Sequence, residues 1–142
     1  MAQKTKFKRG DSVEISIKED GFHGSYFVAD VISPLNDHEY IIEFKTLLND
    51  DETKLLKDIV DVENVRPLPP QIPVSSGFVL YQEVDVYDNE GWWVGMVTGR
   101  NGLIYYVYFA STNEEIAYPA YRLRLHQEWK DGEWVVLSKR RK

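Results

Sequence analysis

The chain has 142 residues, 43% hydrophobic and 28% charged, with a formal net charge of −6, a balance that excludes wholesale disorder and leaves room for one ordinary domain or two small ones. It has no cysteine, which removes a disulfide scaffold, a thiolate zinc site and a cysteine nucleophile together. No apolar run reaches the roughly 20 residues of a membrane helix and the polar, lysine-containing start is no secretory signal, so no membrane partner is expected.

In chain order, Lys4 to Arg9 is a short basic segment and Gly10-Asp11 a turn. Val13, Ile15 and Ile17 alternate with Ser12, Glu14 and Ser16, the period-2 pattern of a half-buried strand. Glu19-Asp20-Gly21 and Gly24 mark a loop that holds Phe22 and His23. Tyr26 to Ser33 reads as a second strand, stopped by Pro34, and Asn36-Asp37 as the turn after it. Glu39 to Lys45 is a third strand with Tyr40, Ile42 and Phe44 on one face. Asn49 to Lys57 reads as a loop or one helical turn capped by Asp50 or Asp51, and Ile59 to Arg66 as a short final strand. Pro67, Pro69, Pro70 and Pro73, with Ser75-Ser76-Gly77 behind them, read as a linker.

The pattern then repeats. Val13-Glu14-Ile15 is answered by Val84-Asp85-Val86, and Tyr26-Phe27-Val28-Ala29 by Trp92-Trp93-Val94-Gly95. Tyr40 to Phe44 is answered by Tyr105 to Phe109, and Val65-Arg66-Pro67 by Leu123-Arg124-Leu125. Order and character agree in four places, with shorter loops in the second copy, so the chain is an internal duplication. Its centre is Val84 to Val97: a strand, a break at Asp88 to Gly91, and a second strand headed by paired tryptophans. Alternation puts Trp93, Gly95 and Val97 on one face and Trp92, Val94 and Met96 on the other. Past the second copy, His126 to Lys130 extends the sheet or forms a short helix, Asp131-Gly132 turns, and Glu133 to Ser138 is a last strand. Copies this small have marginal cores and are expected to pack against each other.

The run G-D-x-V-E-I at Gly10 to Ile15, the E-D-G loop, the aromatic-headed second strand, the Y-x-I/V-x-F strand and the closing Val65-Arg66-Pro67-Leu68-Pro69-Pro70 together resemble the plant agenet domain, one of the Tudor-like group of SH3-like barrels. The first copy follows the pattern from Lys8 to Pro70 and the second from Tyr81 to about Gln127. The second departs from it by Tyr81-Gln82 in place of Gly10-Asp11 and by lacking the closing prolines. The resemblance implies an all-β chain of two small antiparallel barrels in tandem, packed together: 7–70, a linker at 71–77, 78–130, and a C-terminal strand and tail at 131–142. It implies a nuclear, chromatin-bound reader without enzymatic activity. Its partner would be the tail of histone H3 carrying a methylated lysine, most like the readers of dimethyl-lysine nine in heterochromatin.

Tudor-like barrels build their methyl-lysine cage from the first turn, the head of the second strand and the end of the third. In the second copy those places hold Tyr87, Asp88, Trp93 and Phe109, with Asp85 as an alternative carboxylate. Aromatic faces attract a cation and a carboxylate compensates it; simple core packing is the competing reading of the same rings. The first copy has Ile17, Lys18, Phe27 and Phe44 there, so one wall lacks a π face and a lysine repels an ammonium. Glu43, Asp50, Asp51 and Glu52 are expected to form an acidic wall for the rest of a basic peptide, against the alternative of a solvated loop.

Charge supports a basic partner. Residues 1–68 carry nine Lys/Arg and fourteen Asp/Glu, and residues 69–142 carry eight and nine, with four of those eight in Lys139 to Lys142. Acidic bodies disfavour a phosphate backbone, though that terminal tail could touch DNA weakly and Tyr105, Tyr106 and Tyr108 could stack bases. An SH3-like adaptor for proline-rich or methylarginine peptides is the third reading. His23, His38 and His126 have no ligand or triad spacing, so neither metal, cofactor nor catalysis is expected.

Overall fold

The computed structural model describes residues 6–136 apart from Asp20 and His23. The expectations for Lys4, for those two loop residues, for the end of the last strand at Ser138 and for the tail Lys139 to Lys142 lie outside the described residues. The described chain is almost wholly β and divides between Leu68 and Pro69 into two units.

Unit 1 contains β1 (Ser12–Ile17), β2 (Ser25–Pro34), β3 (Glu39–Leu48), β4 (Leu55–Asp61) and β5 (Val65–Pro67). Every pairing is antiparallel, in the order β5-β1-β2-β3-β4. β2 carries one extra residue, Ile32, between its pairings at Val31 and Ser33, and such a bulge bends a strand and deepens its twist. The curled sheet closes over Val13, Ile15, Phe27, Ala29, Val31, Tyr40, Ile42 and Phe44, all buried. These residues alternate along β1, β2 and β3 as the period-2 pattern requires. Among the described residues no ladder joins β4 to β5, because a 3-10 turn at Val62–Asn64 re-aims the chain between them. The antiparallel all-β architecture therefore holds, and the cylinder stays open along one seam.

Leu55 to Asp61 corrects the sequence reading. Only Asn49 to Lys54 is a turn, held by the Asn49 and Asp51 side chains, which accept from the Thr53 N–H at 3.1 Å each. Leu55 then pairs with Leu48 and the strand runs on to Asp61. Five of its seven residues are exposed and do not alternate cleanly, so its apolar pattern was too weak to read as a strand.

Unit 2 repeats the plan with β6 (Glu83–Asp88), β7 (Gly91–Asn101), β8 (Ile104–Phe109), β9 (Glu114–Pro119) and β10 (Leu123–Leu125), in the order β10-β6-β7-β8-β9. The bulge recurs at Thr98, between Val97 and Gly99, and a 3-10 turn recurs at Ala120–Arg122. Phe78, Val84, Val86, Val97, Tyr105, Val107, Tyr118 and Leu123 form its core. The residues after β10 resolve as a hairpin rather than a helix: β11 (Glu128–Lys130) and β12 (Glu133–Val135) turn at Asp131-Gly132, both with positive φ. Trp129 and Trp134 face each other across it, ring centroids 5.1 Å apart.

The duplication extends to the polar framework. Glu14 is buried opposite Arg66, and Asp85 opposite Arg124, at the same register of β1–β5 and β6–β10. The Tyr40 hydroxyl accepts from the Phe7 N–H at 3.0 Å, and that of Tyr105 from Phe78 at 3.1 Å. Arg66 lies over the Tyr26 ring at 3.5 Å and Arg124 over Trp92 at 4.0 Å.

Candidate functional site

The site is built on the β6–β7 hairpin. Asp88 pairs with Gly91, so Asn89 and Glu90 alone make the turn, both with positive φ (46° and 68°). Two consecutive left-handed residues are what a tight hairpin between right-twisted strands needs. The Trp93 indole N–H donates to the Asp88 carbonyl at 2.7 Å, which ties the ring across the turn and leaves it half-buried. The Asp88 carboxylate accepts from the Asn89 N–H at 2.8 Å and from the Tyr118 hydroxyl at 2.8 Å. Arg122 approaches it at 3.9 Å and donates to the Tyr87 carbonyl at 3.1 Å.

Tyr118 in turn meets Phe109 edge to face, centroids 6.2 Å apart at 85°. Phe109 can lie low over β7 because Gly95 lies beneath it. A Cβ there would stand 2.4 Å from Val107 Cγ1 and 3.0 Å from the Phe109 ring. Trp93, Asp88, Tyr118 and Phe109 thus form one connected rim at the turn end of the unit 2 sheet. Burial, then the bond to Asp88 and its charge, push the Tyr118 phenol up from its ordinary value, so it stays a donor and holds the carboxylate in place. Both carboxylate oxygens keep spare acceptor capacity, since each has two lone pairs.

Three of the five expected cage residues, Asp88, Trp93 and Phe109, are brought together here. Asp85 is not. It is fully buried, accepts from Arg124 Nε at 2.8 Å and lies 2.7 Å from His126 Nδ1, so its charge is compensated inside the fold. The reason is strand alternation: Val84, Val86 and Asp88 share one face of β6, and Asp85 and Tyr87 take the other. Tyr87 accordingly pairs in register with Trp92, rings 5.1 Å apart and T-shaped.

Tyr118 and Arg122 were missed in the sequence. The available signal was the segment Glu114-Glu115-Ile116-Ala117-Tyr118-Pro119 between Asn113 and a proline, a strand-length run bounded by turn residues. Its first four side chains are exposed, so hydrophobic periodicity alone does not announce it.

In unit 1 the equivalent positions are filled. Phe27 and Phe44 are 1% and 3% exposed and meet edge to face at 6.4 Å, with Phe22 against Phe27 at 6.2 Å. The four acidic residues of the expected wall are not one cluster. Glu43 lies mid-strand between Asp30 and Lys57, roughly 17 Å of strand from the turn beyond Leu48 at about 3.3 Å per residue. Asp51 is turned onto Thr53, whose hydroxyl donates at 2.6 Å, and those bonds lower its pKa. Asp50 and Glu52 are exposed, and Glu52 has a φ of 61°. Among the described residues no group of three or more His, Cys, Asp or Glu could hold a metal ion.

Comparison with known proteins agrees with this architecture. The family model for the agenet domain matches residues 10–70. The Arabidopsis thaliana protein AGENET DOMAIN (AGD)-CONTAINING P1 is 35% identical over 99% of this chain, and DUF724 domain-containing protein 3 of the same plant 30% identical over 94%. The chain spans 27% and 20% of the length of those two relatives. Among solved structures, the AGD34 segment of Arabidopsis thaliana AGDP1 superposes with a TM-score of 0.88 at 32% identity, covering 92% of this chain and 90% of that one. The tandem agenet domain 3-4 of ADCP1 superposes at 0.83 with 30% identity, covering 93% and 89%. The chain belongs to the agenet domain family.

Proposed function

We propose that unit 2 binds a methylated lysine of a histone tail at the Asp88 rim, and that the protein works as a chromatin reader in the nucleus. The observation that carries this reading is the fixed carboxylate of Asp88 among Trp93, Phe109 and Tyr118. Methylation keeps the lysine charge while enlarging the cation and removing hydrogen-bond donors. Water then solvates it less well, whereas aromatic faces lose little. A dimethylammonium retains one N–H, which Asp88 can accept, so the site favours the lower methyl states over trimethyl. Histone H3 dimethylated at lysine nine is the preferred ligand in this reading, with the chain's net charge of −6 drawing in the basic tail. The reading is of binding without catalysis.

The test is calorimetric titration of H3 peptides, unmodified and mono-, di- or trimethylated at lysine nine, against the intact chain and Trp93→Ala. Losing that wall is expected to weaken methyl-peptide binding by roughly 1–3 kcal/mol, through cation–π attraction and apolar contact. Circular dichroism checks that the variant is folded. A folded Trp93→Ala protein that still prefers methylated over unmodified peptide as strongly as the parent would put the cage elsewhere.

A further inference from the structure

The end of unit 2 away from the Asp88 turn has different chemistry. Arg100 stands seven residues beyond Trp93 on β7, roughly 23 Å along a strand at about 3.3 Å per residue. A cleft of about 830 Å³ opens there between the β7–β8 turn and the 3-10 turn after β9, within the usual size range of ligand sites. Its walls are largely apolar, and two side chains stand at its mouth almost unburied, Leu103 at 73% and Tyr121 at 83% exposure. Ile72 and Ile104 are also exposed large hydrophobics of its lining.

Arg100 sits at the cleft, opposite Tyr105 in the β7–β8 register, with its guanidinium 5.2 Å from that ring. Nε donates to the Gly102 carbonyl at 2.9 Å and Nη1 to that of Ser76 at 3.3 Å. Two backbone acceptors therefore hold the group while further N–H bonds remain unused. Close approach of the linker makes this possible, because a Cβ at Gly77 would meet the Tyr105 hydroxyl at 2.3 Å and Arg100 Nη1 at 2.7 Å. The other described arginines of unit 2 face carboxylates, Arg122 at Asp88 and Arg124 at Asp85. Arg100 faces none among the described residues. In an acidic chain this is a fixed cation beside apolar walls.

We infer that this cleft docks an apolar segment of a partner protein that carries an aspartate or glutamate. The carboxylate pairs with the unused N–H groups of Arg100, and the apolar side chains lie between Leu103 and Tyr121. A basic tail is repelled here, so the two ends of unit 2 take partners of opposite charge, and the cleft can bind while the Asp88 rim is occupied.

A random heptapeptide phage library is panned on the intact chain, with the Arg100→Gln/Leu103→Ser double variant as the counter-target. Leu103 is exposed at a turn tip, so its change leaves the core alone, and dispersion of the amide NMR spectrum checks each variant. Enriched sequences are expected to join two or more of Leu, Ile, Phe and Met to an Asp or Glu. The winning peptide is then synthesised and titrated. Each single variant should weaken it about fivefold, the scale of one partly exposed ion pair or apolar contact. Trp93→Ala should leave it unchanged, and amide shifts should centre on Gly77, Leu103 and Tyr121. No enrichment over the double variant overturns the inference, as do enriched sequences without an acid, basic sequences, or shifts centred on Trp93. A dodecamer of thymidylate that moves the same amides more than the peptide does assigns the cleft to nucleic acid instead.

Discussion

The two units share a scaffold and differ at its mouth. Both set a buried acid opposite an arginine at the same register, both fasten an incoming phenylalanine N–H to a tyrosine hydroxyl, and both bend at a one-residue bulge. Yet the mouth of unit 1 is plugged by Phe27 and Phe44, whereas unit 2 leaves Trp93 and Phe109 half-buried around Asp88. Ala29 stands in one where Gly95 stands in the other, and Ile17 where Asp88 stands, at the same register of the two hairpins. Duplication preserved what holds the sheet and freed what faces solvent.

The sharpest way to break the comparison is to strike the shared pair. Arg66→Met removes the cation facing buried Glu14 and is expected to cost roughly 3–5 kcal/mol in urea denaturation, the scale for stripping one partner from a buried ion pair. Arg124→Met should cost less, because His126 still faces Asp85. Equal losses would mean that His126 compensates nothing.

Next comes the rim. Tyr118→Phe removes the bond that fixes Asp88 and should weaken methyl-peptide binding by about 1 kcal/mol, the net worth of a typical hydrogen bond. Tyr87→Phe, on the opposite face, should change calorimetric affinity much less. A larger loss at Tyr87 would move the ligand to the Trp92 side of the hairpin.

A smaller difference is in pH. Burial alone would push the His126 imidazole down, but the bond and charge of Asp85, with Glu128 at the other ring nitrogen, outweigh it and raise the pKa above its ordinary value. A pKa raised on folding contributes stability that is complete below about pH 6.5, the unfolded value, and is lost as pH rises through the folded one. Arg124, also on Asp85, keeps its charge throughout. The melting temperature should therefore fall as pH rises above about 6.5, and His126→Gln should flatten that slope. Unit 1 has no histidine at the matching place, Leu68.

The smallest effect belongs to the acidic turn. Neutralising Asp50 and Glu52 together should lower the salt dependence of histone-peptide association by stopped flow. Asp51→Asn removes one charge where the double change removes two, so it should flatten that slope about half as far, while also breaking the bonds from Thr53 that hold the turn.

Much of this was legible in the residues. Alternation in Val13 to Ile17 and Val84 to Val86, turn chemistry at Asp88 to Gly91 and Asp131-Gly132, and the four matched segments gave the strands, the hairpins and the duplication. The resemblance to Tudor-like barrels pointed to Asp88, Trp93 and Phe109 as candidate cage residues, and the structure connects them along one rim. What stayed hidden was β4 and β9, whose largely exposed side chains carry no hydrophobic period, and with β9 went Tyr118. Asp85 misled for a related reason. Its neighbourhood to Asp88 in sequence says nothing of the one-residue alternation that sends them to opposite faces.

The sequence by itself determined which residues alternate, where the chain turns and that the plan occurs twice, because these depend on side-chain periodicity and backbone preference within a few residues. Tertiary structure alone decided which charges cancel and which remain available. Asp85 is silenced by Arg124, thirty-nine residues away, while Asp88 is set by Tyr118, thirty residues away. Arg100 is left facing solvent because no carboxylate folds back to meet it among the described residues. A charge acts through what stands within a few ångströms of it, and only the pairing of distant strands fixes that.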